Sequence, residues 1–326
     1  MFRKVIEVIS RSRVFLVTAH INLEGDALGS ELAMFGLLRK IKKRVFVYND
    51  DITPPIYKFL PYVSVINNDL HKEEFDVALV LDCSDSSRTG KVKDVLSKAD
   101  CIVNIDHHIS NTFFGDINWV DPKASSAAEM IYRLCKEFKI MNKDIALCLY
   151  TGIFTDTGNF TYANTTPYVH RIVSELTKYS ISPHIVYENI HSSCRIDDLK
   201  FIGSIIHSLK VDQNNKVCWA IIKNWPKMDF DITEVIFSIM KFLKDIEVFI
   251  LFKKIENRKI RVNFRSRAKV DVDKVAKFFG GGGHKRASGT TIEDSLEAVE
   301  KKVISFVRRY TNGKVRINKG RNNSGK

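Results

Sequence analysis

Short apolar runs alternate with helix-like patterns along the first half of the chain. After the first run, Leu28, Leu32, Phe35 and Leu38 recur at the three- and four-residue spacing of an amphipathic helix. The runs themselves have the length and the β-branched residues of strands, and they occupy residues 14–19, 44–48, 77–81 and 101–105. Because strands that alternate with helices form parallel sheets, this half predicts an α/β domain whose mostly parallel sheet is flanked by helices.

The second half first becomes largely helical and then mixes strands with helices. Helical spacing covers residues 125–138, 143–154, 167–179 and 197–209. Strand patterns follow at 217–222, 247–252 and 259–264, with helical patterns at 232–243, 272–279 and 296–310. We therefore predict a smaller C-terminal α+β domain, and an active site in the cleft between the two domains.

These patterns divide the chain into four predicted segments. An N-terminal domain is expected over residues 1–195, a helical linker over 196–212 and a C-terminal domain over 213–311. Residues 312–326 are rich in Lys, Arg, Asn and Gly and contain no acid, so we expect a disordered basic tail there.

The composition is that of an ordinary globular protein with a basic balance. Of 326 residues, 44% are hydrophobic and 27% charged, and no apolar stretch approaches the roughly 20 residues that span a bilayer. The six cysteines form no C-x-x-C pair, which argues against a zinc-thiolate site and favours a reduced, cytoplasmic compartment. The net charge of +13 favours polyanionic partners, although a lysine-rich surface explains it equally well.

Three of the predicted strands end at side chains that can bind a metal ion. The first apolar run leads to His20, the third to Asp82, and the fourth to Asp106 and His107. Ligands of open parallel sheets bind at the carboxyl ends of the strands, so these side chains are expected to converge. Each residue alone has a structural explanation, such as a turn or helix cap for Asp82. Their repetition at three strand ends predicts a site.

Carboxylates and imidazoles make up the candidate metal ligands. Asp156 is included because an apolar helical run ends there in polar, turn-prone residues. Several carboxylates in a small volume repel one another without a cation, so we expect two divalent ions, about 3.5–4 Å apart, that clamp a phosphoryl group. Mn²⁺ is the expected metal, with Mg²⁺, Co²⁺ and Fe²⁺ as alternatives. The predicted ligands are His20, Glu24, Asp26, Asp82, His107 and Asp156.

A second motif combines consecutive glycines with basic side chains. Glycines occupy residues 280–283, and His284, Lys285 and Arg286 follow them. Such a run exposes backbone N–H groups and lets a ligand approach closely, although a flexible turn is the alternative explanation. It is not a Walker loop, because the G-K-[ST] ending is missing. The predicted anion-binding residues are Arg265, Arg267, Gly281, Gly282, Gly283, His284 and Arg286.

Together these motifs resemble the DHH phosphoesterase superfamily. The triplet Asp106-His107-His108 matches the motif that gives the superfamily its name, and residues 20–30 resemble its first motif, H-x-N-P-D-G-D-A-x-G-S. Asp82 and Asp156 fit the second and fourth motifs.

The resemblance extends over nearly the whole chain. Residues 280–289 resemble the signature of the DHH-associated C-terminal substrate domain. The spacing and the short C-terminal domain resemble the oligoribonuclease and pAp phosphatase branch, whose members are often called nanoRNases; pAp is 3′-phosphoadenosine 5′-phosphate.

This resemblance implies a role for each candidate residue. One metal would take His20, Glu24 and Asp82, and the other would take Asp26, Asp82, His107 and Asp156. The catalytic residues would be Asp26, Asp82 and His108, with His108 contacting the scissile phosphate or assisting the leaving oxygen. The terminal phosphate or sugar of the substrate would be held by Arg265, His284 and Arg286.

Two positions depart from the first motif. Leu23 replaces the usual proline and Glu24 the usual aspartate. Glutamate keeps the charge but adds a methylene group, so we expect the geometry or the preferred ion at that metal to change while the site remains.

The resemblance implies hydrolysis of short single-stranded RNA or DNA (about two to five nucleotides) to nucleoside 5′-monophosphates, and of pAp to AMP. Members of the superfamily often form homodimers, so a homodimer is one open possibility for the oligomeric state, and no membrane partner is expected. Three alternatives stay open: a phosphodiesterase of cyclic or linear dinucleotides, an inorganic pyrophosphatase, and a nucleic-acid-binding protein with a degenerate site. The four-glycine loop argues against the pyrophosphatase.

Overall fold

The computed structural model describes residues 1–69, 74–191, 194–224, 232–267 and 269–313. Its contacts divide the chain into two compact units, one ending at residue 193 and the other starting at residue 194. Almost all of the predicted basic tail lies outside the described residues. Within them, no helix is long and apolar enough to cross a membrane, and all six cysteines are free.

The first unit is built on a parallel sheet. Its strands are β1 (Val14–Thr18), β2 (Arg44–Tyr48), β3 (Ile66–Asn67), β4 (Phe75–Leu81), β5 (Ala99–Asp106) and β6 (Ile117–Val120). They lie in the order β3-β2-β1-β4-β5-β6, and each neighbouring pair is parallel. The predicted parallel α/β sheet is thus confirmed. The sequence pattern missed β3 and β6, because two and four residues are too few to show a strand periodicity.

Helices cover both faces of this sheet. They are α1 (Phe2–Arg11), α2 (Gly25–Lys40), α3 (Lys93–Leu96), α4 (Ala127–Glu137), α5 (Lys143–Asp156), α6 (Pro167–Thr177) and α7 (Pro183–His191). Alternate strand residues supply two cores: Phe15 and Val17 join the large core with α2, α4 and α5, whereas Leu16 joins a smaller core with α3. Side-chain caps start α4 and α5, where Ser126 and Asn142 accept backbone N–H groups.

The second unit has its own six-stranded sheet. Its strands are β7 (Lys210–Asp212), β8 (Val217–Ile222), β9 (Val248–Glu256), β10 (Lys259–Ser266), β11 (Gly282–His284) and β12 (Ala287–Glu293). The order is β11-β12-β10-β9-β8-β7, antiparallel except between β8 and β9. Its helices are α8 (Ile196–His207), α9 (Ile232–Met240), α10 (Val272–Phe278) and α11 (Leu296–Thr311).

The predicted helical linker is part of this second unit. Ile202 and Ile205 of α8 are buried in one core with α9 and β8, and β7 pairs with β8 at the edge of the sheet. The segment 196–212 therefore folds onto the sheet of the second unit, because its apolar helix face has a core to join.

Helices α2 and α5 approach each other at glycines, and this contact positions the carboxyl end of the first sheet. A Cβ atom on Gly29 of α2 would lie 2.4 Å from the carbonyl oxygen of Cys148 and 3.0 Å from the backbone nitrogen of Gly152. Both neighbours are backbone atoms of α5, which cannot rotate away. The close packing of the two helices therefore requires glycine at this position.

We expect Gly29→Ala to destabilise the first unit by about 1–3 kcal/mol, because the added methyl group forces the helices apart. Scanning calorimetry measures the change. Gly203→Ala is the matched control, since Gly203 of α8 has no atom within 4 Å of its would-be Cβ and alanine favours a helix by about 0.5–1 kcal/mol. Equal melting temperatures for wild type and Gly29→Ala would contradict the packing argument.

Candidate metal centre

His20 and Asp82 meet where the strand order of the first sheet reverses. β1 and β4 are neighbours at its centre, His20 lies two residues beyond β1, and Asp82 directly follows β4. His20 Nε2 lies 3.4 Å from Asp82 Oδ2, and both side chains are buried. Nδ1 of His20 donates to the carbonyl oxygen of Ile21 at 2.6 Å, so in the neutral imidazole the lone pair on Nε2 faces Asp82. Ligands of open α/β sheets bind at this reversal point.

Asp82 combines a strained backbone with an unsatisfied side chain. Its φ angle is 51°, a left-handed conformation that non-glycine residues adopt at a cost of about 1–3 kcal/mol and mainly at functional sites. Its N–H still donates to Ile105 at 3.0 Å, so the strand pairing holds the residue in place. Its Oδ1 atom is buried without a hydrogen-bond donor. A buried carboxylate oxygen of this kind calls for a cation.

Asp26 reaches the same volume from the first turn of α2. Its carboxylate accepts the backbone N–H groups of Ala127 at 2.6 Å and Ala128 at 2.8 Å, in the first turn of α4. The amino end of a helix favours a negative charge, so α4 fixes the position of this carboxylate.

The imidazole of His107 lies among three carboxylates. Its Nε2 is 3.4 Å from Asp82 Oδ1, 3.8 Å from Asp26 Oδ2 and 3.8 Å from Oδ2 of Asp156, the last residue of α5. Two sets of three residues bring their ligand atoms within 4.8 Å of one another. They are Asp82, His107 and His108, and Asp26, His107 and Asp156.

The protonation of these groups follows from their crowding. Burial raises the pKa of Asp26, and the charges of Asp82 and Asp156 add to this effect. Burial also raises the pKa of Asp156, to about 6. For His107, burial lowers the pKa, but the close ion pair with Asp82 and the charges of Asp156 and Asp26 outweigh it and raise the pKa to about 10. The positive imidazole thus balances part of the carboxylate charge, and a divalent cation would compete for the same position.

The residues at this site fit a divalent metal ion. The donors are carboxylate oxygens and imidazole nitrogens, a set that suits Mn²⁺, Fe²⁺ or Co²⁺. The Oδ1 atom of Asp82, which accepts no hydrogen bond, lies 3.4 Å from His107 Nε2. Both atoms can therefore bind the same ion. Asp26, Asp82, His107 and Asp156 are the residues that would hold it.

Asp106 has a supporting position, which the sequence reasoning did not assign. It is completely buried, and its Oδ1 accepts the backbone N–H of His107 at 2.8 Å and lies 2.7 Å from Nδ1 of His108. Asn111 donates to Oδ2 of Asp106 at 2.6 Å and to Asn104 at 2.8 Å. The sequence signal for this network was Asn104, a polar residue inside an apolar run.

Glu24 lies outside both sets of three. It is the exposed residue before α2, and its negative charge contributes to the raised pKa of Asp156. The structure therefore keeps Glu24 near the site without bringing its carboxylate into either cluster.

The two predicted arginines of the second unit have partners within that unit. Arg265 pairs with Glu234 of α9 and lies 4.9 Å over the ring of Phe237. Arg267 donates to the carbonyl oxygens of Lys241 and Leu243, beyond the end of α9. Both guanidinium groups thus tie α9 to the sheet.

The glycine run also serves the local fold. Gly280 has a φ of 76°, and the N–H groups of Gly280 and Gly281 bond to Lys277 and Ala276, which ends α10 in a Schellman motif. Gly283 has a φ of 147° and donates its N–H to Asp273 at 3.0 Å. At least three of the four glycine N–H groups are therefore bonded within the second unit.

The basic residues after the glycines stay accessible. His284 pairs with Ala287 between β11 and β12, so Lys285 and Arg286 form a two-residue hairpin turn. His284, Lys285 and Arg286 are all exposed. This hairpin tip presents positive side chains to solvent.

Comparison with known domains identifies the class. Residues 14–153 match the DHH family, N-terminal domain, and residues 214–318 match the DHHA1 domain. The chain therefore contains a DHH domain followed by a DHHA1 domain. Members of this family are metal-dependent, in agreement with the two clusters of candidate ligands.

Individual relatives resemble the chain over most of its length. The bifunctional oligoribonuclease and PAP phosphatase NrnA of Thermus thermophilus is 28% identical over 294 residues, which cover 90% of this chain and 88% of the relative. The protein of the same name from Bacillus subtilis is 28% identical over 306 residues, which cover 91% and 95%. A crystal structure of an exopolyphosphatase-related protein from Bacteroides fragilis superimposes with a TM-score of 0.88 at 25% identity, covering 95% and 96%. The matched domains and these relatives together indicate that the chain is a hydrolase.

We expect Asp82→Ala to weaken Mn²⁺ binding at least about tenfold, because it removes the buried carboxylate between the two histidines. Isothermal titration of the metal-free protein with Mn²⁺ measures the affinity. Asp100→Ala is the matched control, since it removes an exposed carboxylate from the same sheet, near the start of β5. Unchanged Mn²⁺ affinity in Asp82→Ala would remove Asp82 from the metal site.

Proposed function

We propose that the protein is a two-metal phosphoesterase that degrades short RNA oligonucleotides to nucleoside 5′-monophosphates and converts pAp to AMP. The observation that carries the proposal is the buried, unsatisfied carboxylate oxygen of Asp82, next to His107 and in a cluster with His108. The full-length likeness to relatives named oligoribonuclease and PAP phosphatase supports the choice of substrate.

The side chains at the site divide into ligands and supports. When bound, the metal ions would supply an activated hydroxide and neutralise charge on the phosphoryl group. The proposed ligands come from separate strand and helix ends and face one volume, where they would hold metal ions that contact one substrate phosphate. They are His20, Asp26, Asp82, His107 and Asp156. Glu24 is proposed as a further ligand from its place in the first motif.

His108 is the proposed proton donor to the leaving oxygen. Nδ1 of His108 donates to the Asp106 carboxylate at 2.7 Å, and this hydrogen bond orients the ring. Nε2 is therefore the nitrogen that can donate a proton to the leaving oxygen. Nδ1 of His108 also lies 3.6 Å from Oδ1 of Asp82. The ring therefore stands at the edge of the metal cluster in a fixed orientation.

The second unit is the proposed substrate-binding domain. His284 and Arg286 of the exposed hairpin tip supply charges suited to a terminal phosphate. Phosphate contacts carry little base information, so we expect weak discrimination among bases. The free cysteines support a reduced compartment, and we propose the cytoplasm.

We expect Mn²⁺-dependent release of nucleoside monophosphate from an RNA dinucleotide and of AMP from pAp, and the loss of both activities in Asp82→Ala. The assay compares these two substrates with a cyclic dinucleotide and inorganic pyrophosphate, and separates products chromatographically. Asp100→Ala should retain full activity.

Each other outcome favours a specific alternative. Turnover of the cyclic substrate alone would assign a cyclic-dinucleotide phosphodiesterase, and turnover of pyrophosphate alone a pyrophosphatase. Mn²⁺ binding without hydrolysis of any substrate would contradict the proposed function.

We expect His108→Ala and Asp106→Asn each to lower kcat by about 10²–10⁴-fold, the usual contribution of general acid catalysis, while bound Mn²⁺ is retained. If Asp106 acts by orienting His108, the double variant should lose no more than His108→Ala alone. Kinetics on pAp and metal analysis of the four proteins test this. Additive losses would mean that Asp106 acts independently of His108.

A further inference from the structure

The amino-terminal ends of β1 and β2 carry a dense group of positive side chains. Residues 39–44 read Arg-Lys-Ile-Lys-Lys-Arg and connect α2 to β2, with five basic residues in six positions. Arg11 ends α1, and Arg13 directly precedes β1. We call this group the basic edge: Arg11, Arg13, Arg39, Lys40, Lys42, Lys43 and Arg44.

Hydrogen bonds hold the two segments of the basic edge side by side. The N–H of Arg44 donates to the carbonyl oxygen of Arg13 at 2.9 Å. Lys43 Nζ donates to the carbonyl oxygens of Ser10 at 2.8 Å and Ser12 at 2.6 Å. The charges are therefore brought together by folded structure and do not belong to a loose loop.

Much of this charge is uncompensated. Arg11, Arg13, Arg39, Lys40 and Lys42 are exposed, and among the described residues none of these five forms an ion pair. The neighbouring Asp76 accepts the backbone N–H groups of Arg13 at 2.6 Å and Val14 at 3.1 Å. Its carboxylate thus binds the backbone, and its charge also interacts with Arg13 and Lys43. The charges of Arg11, Arg39, Lys40 and Lys42 remain available to a polyanion.

The basic edge and the metal site lie at opposite ends of the same strands. β1 and β4 have five and seven residues, so at about 3.3 Å per residue the two ends are roughly 16–23 Å apart. An anion at the basic edge is consequently not the substrate phosphate at the metal site. Seven basic residues match a partner that carries several phosphates.

The chemistry of the surface favours a double helix over single-stranded RNA and over an anionic membrane. Single-stranded RNA is usually held by stacking on exposed aromatic rings, and none of the exposed large hydrophobic side chains in the described segments belongs to the basic edge or its neighbours. An anionic membrane would engage an exposed apolar helix face, but Val5 and Ile9 of the adjacent α1 are fully buried. Phosphate contacts alone suit a double helix.

We propose that the basic edge is a docking surface for the phosphate backbone of double-helical RNA. This surface is separate from the metal site and would hold the protein on structured RNA. The proposal goes beyond the proposed hydrolysis, and its test does not require any catalytic activity.

The test measures binding of a fluorescent RNA hairpin with a 20-base-pair stem by anisotropy, in EDTA so that no metal-dependent cleavage occurs. The variant is Arg13→Gln/Arg39→Gln/Lys40→Gln. It removes charge without touching Lys43 or Arg44, whose guanidinium lies 4.9 Å from the centre of the Phe46 ring. We expect at least a tenfold loss of affinity and a salt-dependence slope lower by about 2–3, because each phosphate contact contributes about one.

The matched control is Lys58→Gln/Lys93→Gln/Lys178→Gln, which removes three exposed charges elsewhere on the first unit. It should bind the hairpin within twofold of wild type. If both variants lost the same amount of affinity, the hairpin would be bound by the overall positive charge of the protein and not by the basic edge, and the proposal would be overturned. Vesicles of phosphatidylcholine and phosphatidylglycerol (3:1) and unlabelled hairpin are compared as competitors at equal phosphate. Equally strong competition by the vesicles would assign the surface to membranes.

A second measurement uses the wild-type protein, so that folding of a variant is not in question. Saturating hairpin should slow amine-reactive labelling of Lys40 and Lys42 but not of Lys58 and Lys178. Labelling of Lys40 and Lys42 at the same rate with and without hairpin would overturn the proposal.

Discussion

The fold of the first unit is organised around the crowding of carboxylates beside His107. Asp26, Asp82 and Asp156 come from the start of α2, the end of β4 and the end of α5, and all approach one imidazole nitrogen. Such crowding is costly unless positive charge balances it. The parallel sheet, the glycine contact between α2 and α5 and the amino end of α4 together hold these groups where they would otherwise repel one another.

Neighbouring residues in the central motif have different tasks. Asp106 faces inward and is satisfied by Asn111 and backbone N–H, whereas His107 faces the carboxylates. His108 connects the two environments through its Nδ1 atom. The buried amides thus stabilise the orientation of a ring at the edge of the candidate metal site. The basic edge lies at the opposite, amino end of the sheet.

Much of the fold and of the candidate site could be predicted from local sequence pattern. The apolar runs predicted β1, β2, β4 and β5. Parallel strands bring the residues after their carboxyl ends to one edge of the sheet, which is why His20 and Asp82 could be expected to meet. The pattern missed α1 and α7, although both are amphipathic, and it missed the edge strands β3 and β6. Short elements have little periodicity of their own and depend on a neighbour for their hydrogen bonds.

The sequence by itself determines which chemical groups follow the strands. It also determines the alternation of strands and helices that brings these groups to one edge of the sheet. The task of each group depends on its packing in the folded chain. Folding buries Asp82 with an unsatisfied oxygen but gives Asp106 hydrogen-bond partners, leaves Glu24 exposed, and uses Gly280 and Gly283 to end a helix and shape a hairpin. These roles depend on through-space hydrogen bonds and burial, which are set by residues distant in sequence and so cannot be deduced from local pattern.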